Sequence, residues 1–339
     1  MGNSCALVIP AAKMNWISKL PLVPDIGARG NVRATLWKLL GDIPNGGGFV
    51  SATVKDQGEY SLERFELRNG VGDLVPGYLL LPRAAAGTKF PAILYCHWHG
   101  DEYHVGKEEL FRKDSGPPER GLELVRRGFA VMAIDAYCFG ERSGRGPCGA
   151  EEKGRDEELS TAKFNLWAGR TLWGMILRDD LLALDYLASR PEIDAARIGV
   201  MGISMGATRT WWLMALDERL RAGMAAACLT RYQDLIEAGA LNKHGIYYYV
   251  PNLLRHFDTE AIVAQIAPRP ILFQTGDQDA GSPIEGVRKI ERAVKPFWEA
   301  SGHADAFESV VYPGVGHLFN EAMWARTLEW FEHHLANTV

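Results

Sequence analysis

Three residues of this chain have the types and the order that nucleophilic acyl chemistry requires. Gly202-Ile203-Ser204-Met205-Gly206 spells G-x-S-x-G. In that pattern the serine stands on a tight turn, and the flanking glycines let a strand and a helix approach without a Cβ clash. A serine hydroxyl is a weak nucleophile until a base takes its proton and an acid orients the base. On such a scaffold the partners follow in the chain order serine, carboxylate, histidine. Gly276-Asp277-Gln278-Asp279 and Gly314-Val315-Gly316-His317 supply both downstream of Ser204. His317, in a glycine-rich loop with free reach, is the expected base. Asp277 and Asp279 are both candidates for the acid. Asp279 is favoured because it lies further from the strand end, in the loop that must cross towards His317, while the other carboxylate would cap its own turn. An oxyanion formed at Ser204 needs backbone N–H donors. The expected ones belong to Met205, at a helix N-terminus, and to His99.

A rival reading starts from His97-Trp98-His99-Gly100-Asp101-Glu102-Tyr103-His104. This run nearly spells the zinc-hydrolase signature H-x-H-x-D-H, and two histidines with a carboxylate could bind zinc and activate water. The last histidine of that pattern is Glu102, however, and no later His/Asp set has matching spacing. A centre at His97, His99 and Asp101 would also leave Ser204, Asp279 and His317 idle. The expectation is therefore no metal and no cofactor. A G-x-S-x-G match arises by chance about 0.1 times in a chain of this length, so its surroundings must carry the argument.

Those surroundings are regular. Arg197 to Ile203 reads as a buried strand running straight into the motif, and Met205 to Leu216 as the helix that leaves it. Ala92 to Cys96, Phe129 to Ile134, Ile198 to Ile203, Met224 to Leu229, Ile271 to Gln274 and Ser309 to Tyr312 are short, nearly continuous apolar runs, as expected of strands covered on both faces. Helical segments lie between them, including Leu172 to Leu187, stopped by Pro191, and a C-terminal stretch from Glu321 to Leu335. Tyr60 to Leu67 and Val75 to Leu81 alternate in the manner of antiparallel strands. An antiparallel lead-in followed by βαβ units implies an α/β fold: a mostly parallel, mixed sheet in a three-layer sandwich, with ligands at the carboxyl ends of the strands. Residues 1–48 read as an N-terminal helical extension closed by Gly46-Gly47-Gly48, and 49–339 as the catalytic domain. Leu229 to Ala267 is a long excursion rich in aromatics, so 230–266 is a candidate cap. Trp98, Glu141, Arg142 and Tyr248 are the candidate pocket residues.

Composition narrows the partners. The 339 residues are 47% apolar and 23% charged, with a net charge of -5. This is ordinary for a globular protein and gives no electrostatic reason to expect nucleic acid or an anionic membrane. Five cysteines, odd in number and without a C-x-x-C pair, fit reduced thiols and a cytoplasmic location. Cys5 to Ala12 is too short, and too interrupted by Pro10, for a signal peptide. Met1-Gly2 lacks the Ser or Thr of a myristoylation site, carrying Ala6 there. The sequence leaves the oligomeric state open, a homodimer included.

The chain resembles bacterial α/β-hydrolases of the dienelactone-hydrolase and acetyl-xylan-esterase kind. Gly77 to Pro82, the His97–Gly100 loop, Asp135 to Arg142, Arg197 to Gly206, Ala267 to Pro270 and His317 carry the resemblance. It implies an eight-stranded α/β-hydrolase sheet and hydrolysis of a small-molecule ester (acetyl, aryl or carbohydrate) without a cofactor. Relatives place the acid in Gly-x-x-Asp, which supports Asp279. C–C bond or amide hydrolysis on the same triad is the alternative chemistry.

Overall fold

The computed structural model describes residues 29–85, 87–113 and 116–336. The readings of the leader, of Met1-Gly2, of Cys5 and of the first part of the extension lie outside the described residues. Nine strands are described: β1 (Gly47–Asp56), β2 (Tyr60–Asn69), β3 (Leu74–Pro82), β4 (Phe90–Cys96), β5 (Ala130–Ile134), β6 (Ile193–Ile203), β7 (Leu220–Ala226), β8 (Ile271–Gly276) and β9 (Phe307–Tyr312). They form one sheet in the order β1-β2-β3-β5-β4-β6-β7-β8-β9. The first four in that order pair antiparallel, and the six from β5 to β9 are mutually parallel. The mixed, mostly parallel sheet is as expected. The strand absent from the eight-stranded expectation is β1, which is exposed along nearly its whole length and so lacks the buried-strand signature. It begins inside the glycine run read as a flexible break.

Apart from the edge strand β9, which is half-buried throughout, the parallel strands are buried on both faces along their apolar runs. β2 instead alternates, turning Glu63, Phe65, Leu67 and Asn69 inward and Arg64 and Arg68 outward. The nine described α-helices are α1 (Arg29–Leu40), α2 (Arg120–Arg126), α3 (Gly154–Trp167), α4 (Leu172–Ser189), α5 (Met205–Leu216), α6 (Tyr232–Glu237), α7 (Thr259–Val263), α8 (Ile284–Ala300) and α9 (Glu321–Phe331). α1, α4, α5, α7 and α8 contribute to the core on one face of the sheet, and α2 and α9 to the core on the other. Three layers result. α1 buries Val32, Leu36 and Leu40 in the larger of these cores, so it packs as part of the helical layer on that face of the sheet. Among the described residues no helix is long and apolar enough to cross a membrane.

Candidate active site

β6 stops at Ile203 and α5 starts at Met205, which leaves Ser204 alone to reverse the chain. Its φ of 57° and ψ of -116° lie outside the regions L-residues prefer. Such a conformation costs about 1–3 kcal/mol and persists only where its surroundings over-determine it. Here they do. The Ser204 N–H donates to the Ala226 carbonyl at 2.9 Å. A Cβ on Gly202 would lie 2.3 Å from the Gly206 carbonyl carbon, and one on Gly206 would lie 2.0 Å from the Cys96 oxygen. The two glycines of the motif are therefore steric necessities of the turn, which lifts the serine hydroxyl at the carboxyl edge of the sheet. α5, buried at every position, is driven into the core behind it.

His317 Nε2 lies 2.9 Å from Ser204 Oγ, and His317 Nδ1 lies 2.8 Å from Asp279 Oδ2. The carboxylate can only accept, so Nδ1 carries the proton and Nε2 is free to accept from the serine hydroxyl. The Asp279 side chain is 1% exposed, whereas that of His317 is 48% exposed. The Gly281 N–H donates to the other carboxylate oxygen, Asp279 Oδ1, at 2.8 Å and fixes its rotamer. Asp277 does different work: it accepts from the Gly314 N–H at 2.7 Å and so ties down the loop that carries His317. The structure thus brings Ser204, Asp279 and His317 together and leaves Asp277 as a turn cap.

The loop after β4 holds the two histidines of the metal reading, and both rings are committed. His97 lies 2.7 Å from the Trp98 carbonyl through Nδ1, and its Nε2 accepts from the Ala136 N–H at 3.0 Å. Burial, reinforced by the Arg209 guanidinium, holds this imidazole well below the ordinary histidine range. His99 Nδ1 accepts from the Asp101 N–H at 3.1 Å, so its Nε2 carries the proton that meets Glu158 Oε2 at 2.7 Å. His97 and His99 therefore do not converge on one point with Asp101. Among the described residues no set of three His, Cys, Asp or Glu is placed to hold a metal ion. The Trp98 N–H donates to Glu109 at 2.6 Å. Of the two residues expected to supply oxyanion donors, His99 lines the space in front of Ser204, and Met205 is the first, buried residue of α5.

That space is a cavity of about 500 Å³. Its walls include His99, Tyr103, Arg155, Glu158, residues 242–245 with Tyr247, and the 278–281 loop. None of the four expected pocket residues lines it. Trp98 is covered by the Arg112 guanidinium, 5.2 Å from its ring. Glu141 pairs with Arg64 and, at 2.6 Å, with Lys107, whose ammonium also meets the buried Asp135 at 2.6 Å. Arg142 is withdrawn to the Asp179 carboxylate at 2.6 Å and covers the Tyr137 ring. Tyr248 is buried behind His244, on which it stacks at 4.1 Å. Among the excursion aromatics it is His244 and Tyr247 that reach the cavity; Tyr232, Tyr248 and Phe257 pack in the core, and Tyr249 is exposed. Glu158 was not legible because its partner His99 lies 59 residues away in the chain. A glutamate on a polar helix such as α3 carries the pattern of a solvated face.

A model of the Abhydrolase family matches residues 29–315. A Bacillus subtilis protein provisionally named hydrolase YtaP is 35% identical over 294 residues, covering 86% of this chain and 94% of its own. A protein of Salmonella typhimurium, provisionally named carboxymethylenebutenolidase, is 30% identical over 280 residues, covering 78% and 84% respectively. Among solved structures, a glucuronoyl esterase from Solibacter usitatus superposes with a TM-score of 0.67 at 16% identity, over 89% of this chain and 92% of that one. Acetyl xylan esterase 1 from a Thermoanaerobacterium species gives 0.61 at 16% identity, over 94% and 98%. At these identities the structural likeness speaks for the fold alone.

Proposed function

Since this chain belongs to the Abhydrolase family of α/β hydrolases, we propose that it cleaves carboxylic esters through an acyl-enzyme on Ser204. The observation that carries this reading is the continuous relay of 2.9 Å from Ser204 Oγ to His317 Nε2 and 2.8 Å from His317 Nδ1 to Asp279. His317 Nε2 takes the hydroxyl proton as Oγ attacks the ester carbonyl carbon. The N–H groups of Met205 and His99 hold the resulting oxyanion. Collapse of the tetrahedral adduct breaks the bond to the leaving oxygen, which receives the proton from His317. Water then attacks the acyl-enzyme, giving its proton to His317, and the acid departs with Ser204 restored. Asp279 stays ionised throughout and stabilises the imidazolium.

The acyl and alcohol parts fall within the acetyl, aryl and carbohydrate esters. The carboxymethylenebutenolidase name of one relative adds cyclic esters to the set worth assaying. The test is turnover of this ester panel by the wild type and by Ser204→Ala, beside labelling with a fluorophosphonate. The variant is expected to lose about 10⁴-fold in kcat and all labelling. Near-normal turnover by Ser204→Ala would refute the assignment.

A further inference from the structure

The chain from His99 to Glu102 closes a tight turn. The Glu102 N–H donates to the His99 carbonyl at 2.9 Å, and both central residues, Gly100 and Asp101, have positive φ, of 55° and 56°. This is the pattern of a type I′ turn, which a non-glycine residue enters at a cost. What holds Asp101 there is its N–H bond to the ring of His99, at 3.1 Å. That bond needs an unprotonated Nδ1, and therefore the tautomer with its hydrogen on Nε2. Glu158, from α3, selects that tautomer by accepting the Nε2 hydrogen at 2.7 Å, with a side chain only 3% exposed. The Tyr103 hydroxyl reaches the same carboxylate oxygen at 3.4 Å. The ring is then clamped on its face by Tyr247 at 5.0 Å, and by the edges of Tyr103 and Phe139 at 5.0 and 5.1 Å.

We infer that Glu158 is a positioning residue for the oxyanion site: by fixing the tautomer and the rotamer of His99 it fixes the turn, and hence the direction of the His99 N–H. The inference rests on the reading of Ser204 as nucleophile. Glu158 adds nothing to substrate affinity in this role. Its contribution belongs to the state in which the carbonyl oxygen has become an anion, because only then do the aimed N–H groups meet developed charge.

The experiment uses the full chain and an aryl acetate, with Glu158→Ala, Glu158→Gln and Ser204→Ala compared with the wild type. Three quantities are measured: kcat, KM, and inhibition by an arylboronic acid, whose tetrahedral adduct on serine mimics the oxyanion. Glu158→Ala is expected to lower kcat by roughly 10–100-fold with KM within about threefold, and to weaken boronate inhibition by a factor similar to the loss in kcat. Glu158→Gln keeps a carbonyl oxygen to accept the His99 hydrogen and is expected to restore most of both. Should Glu158→Ala destabilise the fold, Glu158→Met takes its place, keeping the side-chain volume without a carbonyl to accept the His99 hydrogen, and the same losses in kcat and boronate affinity are expected of it. An alanine variant with unchanged kcat and boronate affinity, or one affected in KM only, overturns the proposal. Full turnover by Ser204→Ala overturns the reading beneath it instead, whatever Glu158 does.

Discussion

At the scale of single residues, two aspartates two positions apart have separate tasks. Asp279 is buried and meets His317, while Asp277 holds the Gly314 N–H that orients the same loop. Asp279→Asn is expected to lower kcat by about 10⁴-fold, because an amide cannot hold the His317 tautomer as a carboxylate does. Asp277→Asn is expected to stay within about tenfold, since a side-chain amide oxygen still accepts from Gly314. Steady-state rates on any ester the wild type accepts test the pair, and equal losses would refute the division. The sequence pointed to Ser204 and His317 because turn chemistry and chain order are local signals. Choosing Asp279 over Asp277 needed the loop's path, which spacing only suggested. Three of the four expected pocket residues lie elsewhere for a physical reason. Lys107, Asp179 and Arg112 claim Glu141, Arg142 and Trp98, and no local pattern announces a partner 34 or 37 residues away.

At the scale of elements, the apolar runs and helical periods located the parallel strands and α5, whose bounds coincide with those read from the sequence. β6 begins five residues earlier than expected, at Ile193 against Ile198, because its entry is polar and half-exposed. α6, α7 and the short turns between them were not legible, being too brief for a 3.6-residue period to declare itself. The apolar helix α4 also carries Asp179 and Asp180 in its buried centre. Asp180 binds Arg209 of α5 through bonds of 2.5 and 2.9 Å, and both side chains are fully buried. The pair locks α4 to the helix behind Ser204. Arg209→Ala is expected to cost about 3–5 kcal/mol, chiefly by leaving Asp180 charged and unpaired. Urea denaturation at neutral pH measures it, and a loss below about 1 kcal/mol would show that the pair is dispensable.

At the scale of the whole molecule, stability is linked to pH through histidines buried neutral. Burial depresses His97 strongly, and it depresses His244 as well. In the unfolded chain both would titrate near 6.5. Below that pH the unfolded state binds protons that the folded state refuses, so stability is full above about 6.5 and falls as the medium is acidified. Each such histidine contributes a slope of up to about 1.4 kcal/mol per pH unit. Denaturation midpoints at pH 7.5 and 5.5 are expected to show the loss, and His97→Gln to flatten part of it. An unchanged slope in that variant would shift the effect to other groups.

The relay also spans the sheet. Ser204 follows β6, Asp279 follows β8 and His317 follows β9, three parallel strands that crossover segments keep apart along the chain. Contacts of such sequence separation form late, after the entropy of closing long loops has been met. A chain folded only through β7 would own the serine and its elbow but neither acid nor base. In a species that has not yet added β8 and β9 the serine has no partner to activate it, so reactivity arrives with the far edge of the sheet.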